Sequence, residues 1–114
     1  MGRKLGFLRR TATPATPQDQ MILLSLDAVE DVERLRTFLN DVNPAAARRA
    51  LELISAAIER LQDFPTLGMS TEDPEIRQII VRFGASGYII RYVILAEAGD
   101  ILITRIWHGR EARV

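Results

Sequence analysis

The sequence predicts an α+β fold in which an antiparallel sheet carries an N-terminal helical hairpin on one face. Three observations lead to this prediction. Two consecutive segments have helical periodicity and are joined by only a few residues, so the two helices should run antiparallel. Three later segments alternate in the manner of strands and are separated by turns that contain glycine. A short apolar run precedes the helices, which gives the order strand, helix, helix, strand, strand, strand.

The composition argues against a disulfide-bonded, a metal-binding or a membrane-spanning protein. The chain has 114 residues, 47% hydrophobic and 26% charged, as expected for one globular domain. With no cysteine and one histidine, it should hold neither disulfides nor a thiolate or histidine-cluster metal site, and no cofactor is indicated. No apolar run approaches the roughly 20 residues that span a bilayer, and no secretory signal follows the basic start. We therefore expect a cytoplasmic protein without membrane contact.

Residues 1–20 differ from the rest of the chain. They hold four basic residues and one acidic residue, and Thr-Ala-Thr-Pro-Ala-Thr-Pro shows neither helical nor strand periodicity. We interpret residues 1–20 as a disordered or extended arm and residues 21–114 as the folded domain. The net charge of zero thus divides into +3 for the arm and −3 for the domain. A net acidic domain is a poor general binder of nucleic acid, so any such contact would be local.

The first strand and the first helix are predicted from a change in periodicity. Met21–Leu26 is an apolar run with the length of one strand. Asp27 and Glu30 then have the spacing of a capping box. Apolar residues recur at helical intervals after them, so we predict a helix over residues 28–41.

The second helix has clear signals at both ends. Asn43 is a good N-cap, and Pro44 suits the first helical position. Phe64-Pro65 ends the helix, because the residue before a proline disfavours helical backbone. Residues 65–74 are small and polar, which predicts a turn-rich loop.

Alternation predicts three strands over residues 76–83, 88–95 and 101–107, joined by turns at 84–87 and 98–100. In the last strand, simple alternation gives two groups with opposite orientation. They are Ile101, Ile103, Arg105 and Trp107 on one side and Leu102, Thr104, Ile106 and His108 on the other. Both faces are largely apolar, so we expect helices to cover one face and a partner to cover the other.

Six short motifs follow one another along the chain. They are Ala28-x-x-Asp31, Asn43-Pro44, Leu61-x-x-Phe64-Pro65 with Gly68, Arg77 before Ile79-Ile80-Val81, Ser86-Gly87-Tyr88 with Arg91-Tyr92, and His108-Gly109-Arg110. Over about residues 21–113 this order resembles the RelE/ParE superfamily of toxins from bacterial type II toxin–antitoxin systems. The resemblance implies a growth-inhibiting toxin with the superfamily's fold. It also implies a cognate antitoxin, ParD-like or similar and usually encoded beside it, in a hetero-oligomeric complex.

The resemblance leaves two activities open. RelE-like and YoeB-like members resemble ribosome-dependent endoribonucleases that cut messenger RNA, whereas ParE-like members inhibit DNA gyrase. Of five positions that carry catalytic groups in RelE-like nucleases, only Arg82 and Arg110 match, while Ile80 and Ile89 replace two cations. Each lost cationic donor removes roughly 2.7–4 kcal/mol of transition-state stabilisation. We therefore favour a ParE-like gyrase inhibitor that is not an enzyme; a degenerate toxin that only binds its antitoxin is a further alternative.

The candidate site residues form two sets. For the nuclease, His108 falls where YoeB-like enzymes carry a catalytic histidine, and with Arg82, Arg91 and Arg110 it would form a minimal metal-independent site. Alternatively, His108 ends a strand with its ring hydrogen-bonded to the backbone. The candidates for binding a target or an antitoxin are Arg77, Tyr88, Arg105, Trp107 and Arg110. A tyrosine that shares a strand face with apolar residues, as Tyr88 does, is more often a core residue than a stacking platform. For Trp107, a packing residue and an interface anchor are equally good interpretations.

Overall fold

A computed structural model describes residues 21–95 and 99–111. The predicted arm (residues 1–20), Ala98 of the last predicted turn and residues 112–114 of the predicted domain lie outside the described residues. The elements in chain order are strand β1 (Ile22–Leu24), helices α1 (Leu26–Val42) and α2 (Pro44–Asp63), a 3₁₀ turn (Pro65–Leu67), and strands β2 (Met69–Ser70), β3 (Arg77–Phe83), β4 (Ser86–Ile94) and β5 (Ile101–His108). The predicted α+β class is confirmed.

The strands described form one sheet in the order β1-β5-β4-β3-β2. Successive strands from β2 to β5 pair antiparallel, but β1 pairs parallel with β5, so the prediction of an antiparallel sheet is wrong for this edge. The reason is the connection. The chain leaves β1 through the two helices and the β2–β4 meander before it returns beside β1, and such a long crossover permits a parallel pair.

The first helix begins earlier than predicted. Its N-cap is Ser25, whose side chain accepts a hydrogen bond from the Ala28 N–H at 3.0 Å, and Asp27 lies in the first turn instead. The expected bounds of residues 28–41 are therefore too short, and the expected strand Met21–Leu26 is reduced to three residues. Two capping signals lie close together here, and only the geometry shows which of them is used.

The second helix follows its sequence signals. Asn43 is its N-cap and accepts hydrogen bonds from the Ala45 and Ala46 N–H groups, and Pro44 occupies the first turn. The helix ends at Asp63, before Pro65. None of the helices among the described residues is both long and apolar enough to cross a membrane.

The connecting segments are more ordered than the sequence predicts. The expected loop at residues 65–74 contains the 3₁₀ turn and the edge strand β2. The expected strand start at Ile76 moves to Arg77, and the turn at 84–87 narrows because Ser86 already belongs to β4. Gly84 permits this tight turn because its backbone adopts a φ of 62°, which residues other than glycine adopt rarely.

A register irregularity changes which side chains of β5 face the helices. Arg91 is paired with Arg105, but the next residue of β4, Tyr92, is paired with Ile103. Thr104 is therefore the extra residue of a β-bulge, which shifts the alternation by one position. The predicted grouping of Ile101 and Ile103 with Arg105 and Trp107 is wrong. Ile106 and His108 share the helical face with Ile103, whereas Arg105 and Trp107 project to the opposite face.

Both helices pack on one face of the sheet, as predicted. The buried cluster combines helix residues such as Leu35, Ile54 and Leu61 with sheet residues such as Ile90 and Ile106. Tyr88 and Tyr92 are also buried in this layer, which confirms them as core residues. Aliphatic and aromatic side chains of this size each gain about 1.5–3 kcal/mol from full burial, so this layer supplies most of the folding free energy.

Where β1 ends, side chains of α1 and its N-cap become the hydrogen-bond partners of the free backbone groups along the edge of β5. Beyond its pairing with β1, the strand is contacted by the Ser25 hydroxyl, which donates to the Thr104 carbonyl, and by Asp31, which accepts the Ile106 N–H at 2.8 Å. Arg34 donates to the Ile106 carbonyl at 3.2 Å. Asp31 is only 2% exposed and also accepts two hydrogen bonds from Arg105. These bonds replace the strand partner that this edge would otherwise need.

We expect Asp31→Asn to lower the free energy of unfolding by about 1–3 kcal/mol, because an amide cannot accept from the Ile106 N–H and both arginines at once. Urea denaturation at neutral pH measures this effect. Glu33→Gln is the matched control, since Glu33 is an exposed carboxylate on the same helix that pairs with Arg36. Its effect should stay within about 0.5 kcal/mol.

The same carboxylate predicts a pH dependence. Burial raises the pKa of Asp31, but hydrogen bonds from Arg105, the Ile106 N–H and Arg34 outweigh burial, so this pKa lies below its ordinary value. A lowered pKa stabilises the fold above the ordinary value of about 4, and this stabilisation is lost as the pH falls through the folded pKa. The difference between wild type and Asp31→Asn should therefore be constant near pH 7 and narrow below about pH 4. An equal difference at pH 7 and pH 3 would contradict the assignment.

Candidate functional site

The structure places two of the candidate nuclease groups on opposite faces of the sheet. His108 is paired across the strands with Tyr88, whose side chain is buried under the helices. Arg82 is paired with Gly87, the residue just before Tyr88 in β4, and is exposed on the other face. Directly paired residues share a face and neighbours along a strand alternate. His108 and Arg82 are therefore not brought together around one point.

The His108 ring is held by its immediate surroundings. It makes an edge contact with the Tyr88 ring, with centroids 5.1 Å apart and planes at 80°. Its Nδ1 accepts a hydrogen bond from the Arg110 N–H at 3.0 Å. This geometry is the one expected of a histidine that ends a strand and caps the following turn.

Glu111 fixes the turn that follows β5, and sequence reasoning did not identify it. One of its oxygens accepts the His108 N–H at 2.9 Å, and both accept from Arg34 at 3.0 Å. Burial raises the pKa of Glu111, but these hydrogen bonds outweigh burial and lower it overall. The Gly109 N–H donates to the Gly87 carbonyl at 2.8 Å. The exposed Arg110 is thus presented from a turn that is anchored to α1 and β4.

Arg91 lies on the sheet face away from the helices. Its Nε donates to Oε1 of Gln78 at 3.1 Å, and its guanidinium lies 5.3 Å from the centre of the Trp107 ring. Sequence reasoning expected a carboxylate or a carbonyl as its partner. The side-chain carbonyl of Gln78 is such a partner, whereas the contact with the Trp107 ring was not expected. Neither partner carries a negative charge, so the guanidinium is oriented but not neutralised by them.

The remaining binding candidates have different surroundings. Tyr88 is buried in the core, so it presents no surface to a partner. Arg105 is 51% exposed but is paired with Asp31 at 2.8 Å. Trp107 is only 7% exposed, with Arg91 against its ring, so it mainly packs. Among the described residues, no cluster of three or more His, Cys, Asp or Glu side chains is placed to hold a metal ion.

A buried clamp holds the segment between α2 and β3. The Tyr92 hydroxyl donates to the Pro65 carbonyl at 2.7 Å and accepts the Gly68 N–H at 2.8 Å. Arg77, a predicted binding residue, donates to the Gly68 carbonyl at 2.8 Å. A Cβ at Gly68 would lie 2.6 Å from the Tyr92 hydroxyl oxygen, so only glycine fits without displacement. Arg77 and Tyr92 therefore fix the 3₁₀ turn and β2 against the sheet.

An apolar groove lies beside this clamped segment. It has a volume of about 520 Å³ and is bounded by α2, by the segment before β3 and by β3 itself. Its apolar lining includes Leu53, Leu67, Met69 and Ile80, which are all exposed, Met69 to 59% and Ile80 to 50%. Arg60 and Gln78 are the polar residues of its lining. Sequence reasoning predicted an apolar surface but not this groove.

The groove continues into an open sheet edge. β2 pairs only with Arg77 and Gln78 of β3. Within the described part of the chain, the rest of β3 has no strand on that side. Such an edge presents backbone N–H and C=O groups that can pair with an added strand. Groove and edge together form a surface suited to an apolar peptide segment.

Comparison with known proteins gives a consistent set of relatives. The family model for the ParE toxin of the type II toxin–antitoxin system parDE matches residues 22–113. Toxin RelE1 of Caulobacter vibrioides is 40% identical over 92 residues, which cover 81% of this chain and 96% of that protein. Toxin RelE3 of the same organism is 36% identical over 86 residues, which cover 75% and 90%. A solved structure of the chromosomal ParDE system from P. aeruginosa has a similar fold, with a TM-score of 0.62, 17% identity and coverage of 80% of this chain and 97% of that one.

We expect Tyr92→Phe to lower the free energy of unfolding by about 1–3 kcal/mol, because it leaves the buried Gly68 N–H without its partner. Amide hydrogen exchange over residues 65–70 should become faster. Tyr88→Phe is the matched control: it deletes the hydroxyl of the other buried tyrosine of β4, whose ring lies against Phe83 and His108. If exchange over residues 65–70 stays as slow in Tyr92→Phe as in the control, the clamp is not what orders the segment.

Proposed function

Because the chain belongs to the ParE toxin family of type II toxin–antitoxin systems, we propose that it inhibits DNA gyrase by binding and that a cognate antitoxin neutralises it. The observation that supports this proposal is the position of His108 and Arg82 on opposite sheet faces. Cleavage of RNA without a metal needs a general base, a general acid and cations around one phosphate, each within about 2.6–3.2 Å of its target atom. The separated groups do not supply such a set.

Substitutions in the sequence support the same choice. Ile80 and Ile89 stand where RelE-like nucleases are expected to carry cations, and they are paired on neighbouring strands of the outer sheet face. An apolar pair at this place offers no stabilisation to a pentavalent phosphate. The surface is therefore better suited to contact with a protein than to catalysis.

A metal-independent endoribonuclease is the second candidate function. The observation that favours it is the position of His108 beside the exposed Arg110, with the ring hydrogen-bonded to the Arg110 backbone. A general acid–base group next to a guanidinium is a plausible half of a phosphate-cleaving site. In this case the targets are the ribosome and messenger RNA instead of gyrase.

The groove and the open edge of β3 are the proposed antitoxin site. An antitoxin segment could place apolar side chains against Leu53 and Met69 and add a strand along β3. A carboxylate on the same segment would pair with Arg60 of the groove lining. Antitoxin tails of this kind fold on binding, so a groove that the Tyr92 clamp has already ordered reduces the total entropy cost.

His108→Ala distinguishes the two candidate activities. Purified wild-type protein should reduce supercoiling by purified gyrase, and His108→Ala should reduce it equally, because a binding inhibitor does not need an acid–base group. His108→Phe keeps a ring against Tyr88 and controls for loss of packing. If gyrase is unaffected while message cleavage disappears in His108→Ala and His108→Phe, both with unchanged melting temperatures, the nuclease is the correct assignment.

We expect Met69→Glu to weaken binding of the antitoxin encoded in the adjacent reading frame by about tenfold or more, because it places a charge in an apolar contact. Isothermal titration calorimetry on the refolded toxin measures the affinity. Leu26→Glu is the matched control, since Leu26 is an exposed apolar residue at the start of α1 that does not line the groove. Equal losses in both variants would show that the groove is not the antitoxin site.

A further inference from the structure

The charges of the folded part are divided between the helices and the sheet. Strands β3, β4 and β5 contain four arginines and no aspartate or glutamate, whereas α1 and α2 contain eight carboxylates and five arginines. The net charge of −3 over residues 21–114 therefore conceals a positive sheet beneath a negative helical layer. A partner that approaches the sheet meets a different charge from one that approaches the helices.

The sheet face away from the helices carries an ordered arrangement of side chains. Cross-strand pairing aligns Gln78, Arg91 and Arg105 in one row and Ile80, Ile89 and Trp107 in the next. Arg82 and Gly87 begin a third row. An apolar strip is thus flanked by arginines on both sides. We call this surface the outer patch and define it as Ile80, Arg82, Ile89, Arg91, Arg105 and Trp107.

The arginines of the outer patch differ in how their charge is compensated. Arg105 is paired with Asp31. Arg91 is held by the Gln78 amide and the Trp107 ring, which orient its guanidinium without removing its charge. Arg82 is exposed at the other side of the strip. An oriented guanidinium loses little conformational entropy when it binds, and its planar fork matches a carboxylate.

We propose that the outer patch contacts the toxin's cellular target, through a protein segment of the target that has a carboxylate next to an apolar side chain. This inference rests on the proposed function. Ile80 and Ile89, the accessible part of the apolar strip beside the buried Trp107, would contact the apolar side chain. Arg91 or Arg82 would pair with the carboxylate. A nucleic acid is the poorer fit, because its affinity grows with the number of phosphates neutralised, and one of the three arginines of the patch, Arg105, is already paired with Asp31.

The outer patch also meets the antitoxin groove. Ile80 belongs to the apolar strip of the patch and lines the groove. An antitoxin segment bound in the groove would therefore cover one end of the patch. This shared residue gives a steric reason why antitoxin and target exclude each other.

Growth arrest in an inducible bacterial strain tests the proposal. The double variant Arg82→Gln, Arg91→Gln should require at least about tenfold more toxin for half-maximal arrest. It should keep the melting temperature of the wild type and its affinity for the antitoxin from the adjacent reading frame. Arg36→Gln, Arg48→Gln is the matched control, since these are exposed arginines of the helical layer. The control should arrest growth like the wild type.

The outcomes separate this proposal from the proposed function. If the wild type arrests growth and the double variant does so at the same dose, the outer patch is not the target surface, although the toxin assignment stands. If the wild type does not arrest growth, both proposals fail. As a second readout, nuclear magnetic resonance shifts are followed with an acidic amphipathic peptide and with a single-stranded oligonucleotide of equal charge. Tighter binding of the oligonucleotide at Arg82 and Arg91 would overturn the protein-segment assignment.

Discussion

The buried carboxylate of Asp31 holds together three parts of the molecule that are distant in sequence. It lies on α1, accepts the backbone N–H of Ile106 on β5, and pairs with both Arg34 and Arg105. Arg34 continues the chain of contacts to Glu111, which anchors the turn after β5. A buried charge is tolerated only when it is fully hydrogen-bonded, so this cluster fixes the position of α1 against the sheet. The position of His108 and Arg110 follows from it.

The bulge at Thr104 determines which side chains of β5 face the helices and which face outward. Without the extra residue, Ile106 would face outward and Arg105 and Trp107 would point at the helices. With it, the core receives Ile106, while Trp107 lies beside Ile89 and Arg91 on the outer face. The end of β1 coincides with the bulge, and Ser25, Asp31 and Arg34 take over the hydrogen bonds of the edge. One local irregularity thus creates both the α1 attachment and the outer patch.

Two surfaces with different chemistry result from this framework. The groove beside α2 is apolar and ends in an unpaired stretch of β3, which suits a segment that folds as it binds. The outer patch is an apolar strip between arginines, which suits a preformed acidic protein surface. The two surfaces meet at Ile80, which lines the groove and is paired with Ile89 in the patch.

The sequence by itself determined the order of the two helices and the four longer strand segments, the helical hairpin on one face of a sheet, and the family resemblance, but not the short edge strand β2. These follow from short-range signals such as the Asn43-Pro44 start of α2 and the alternation within β3 and β4, which depend on neighbouring residues alone. Tertiary structure alone decided the parallel pairing of β1 with β5, the bulge at Thr104, the roles of Glu111 and Tyr92, and the separation of His108 from Arg82. Each of these is a long-range pairing or packing choice, and the energy that selects it comes from residues far away in the chain.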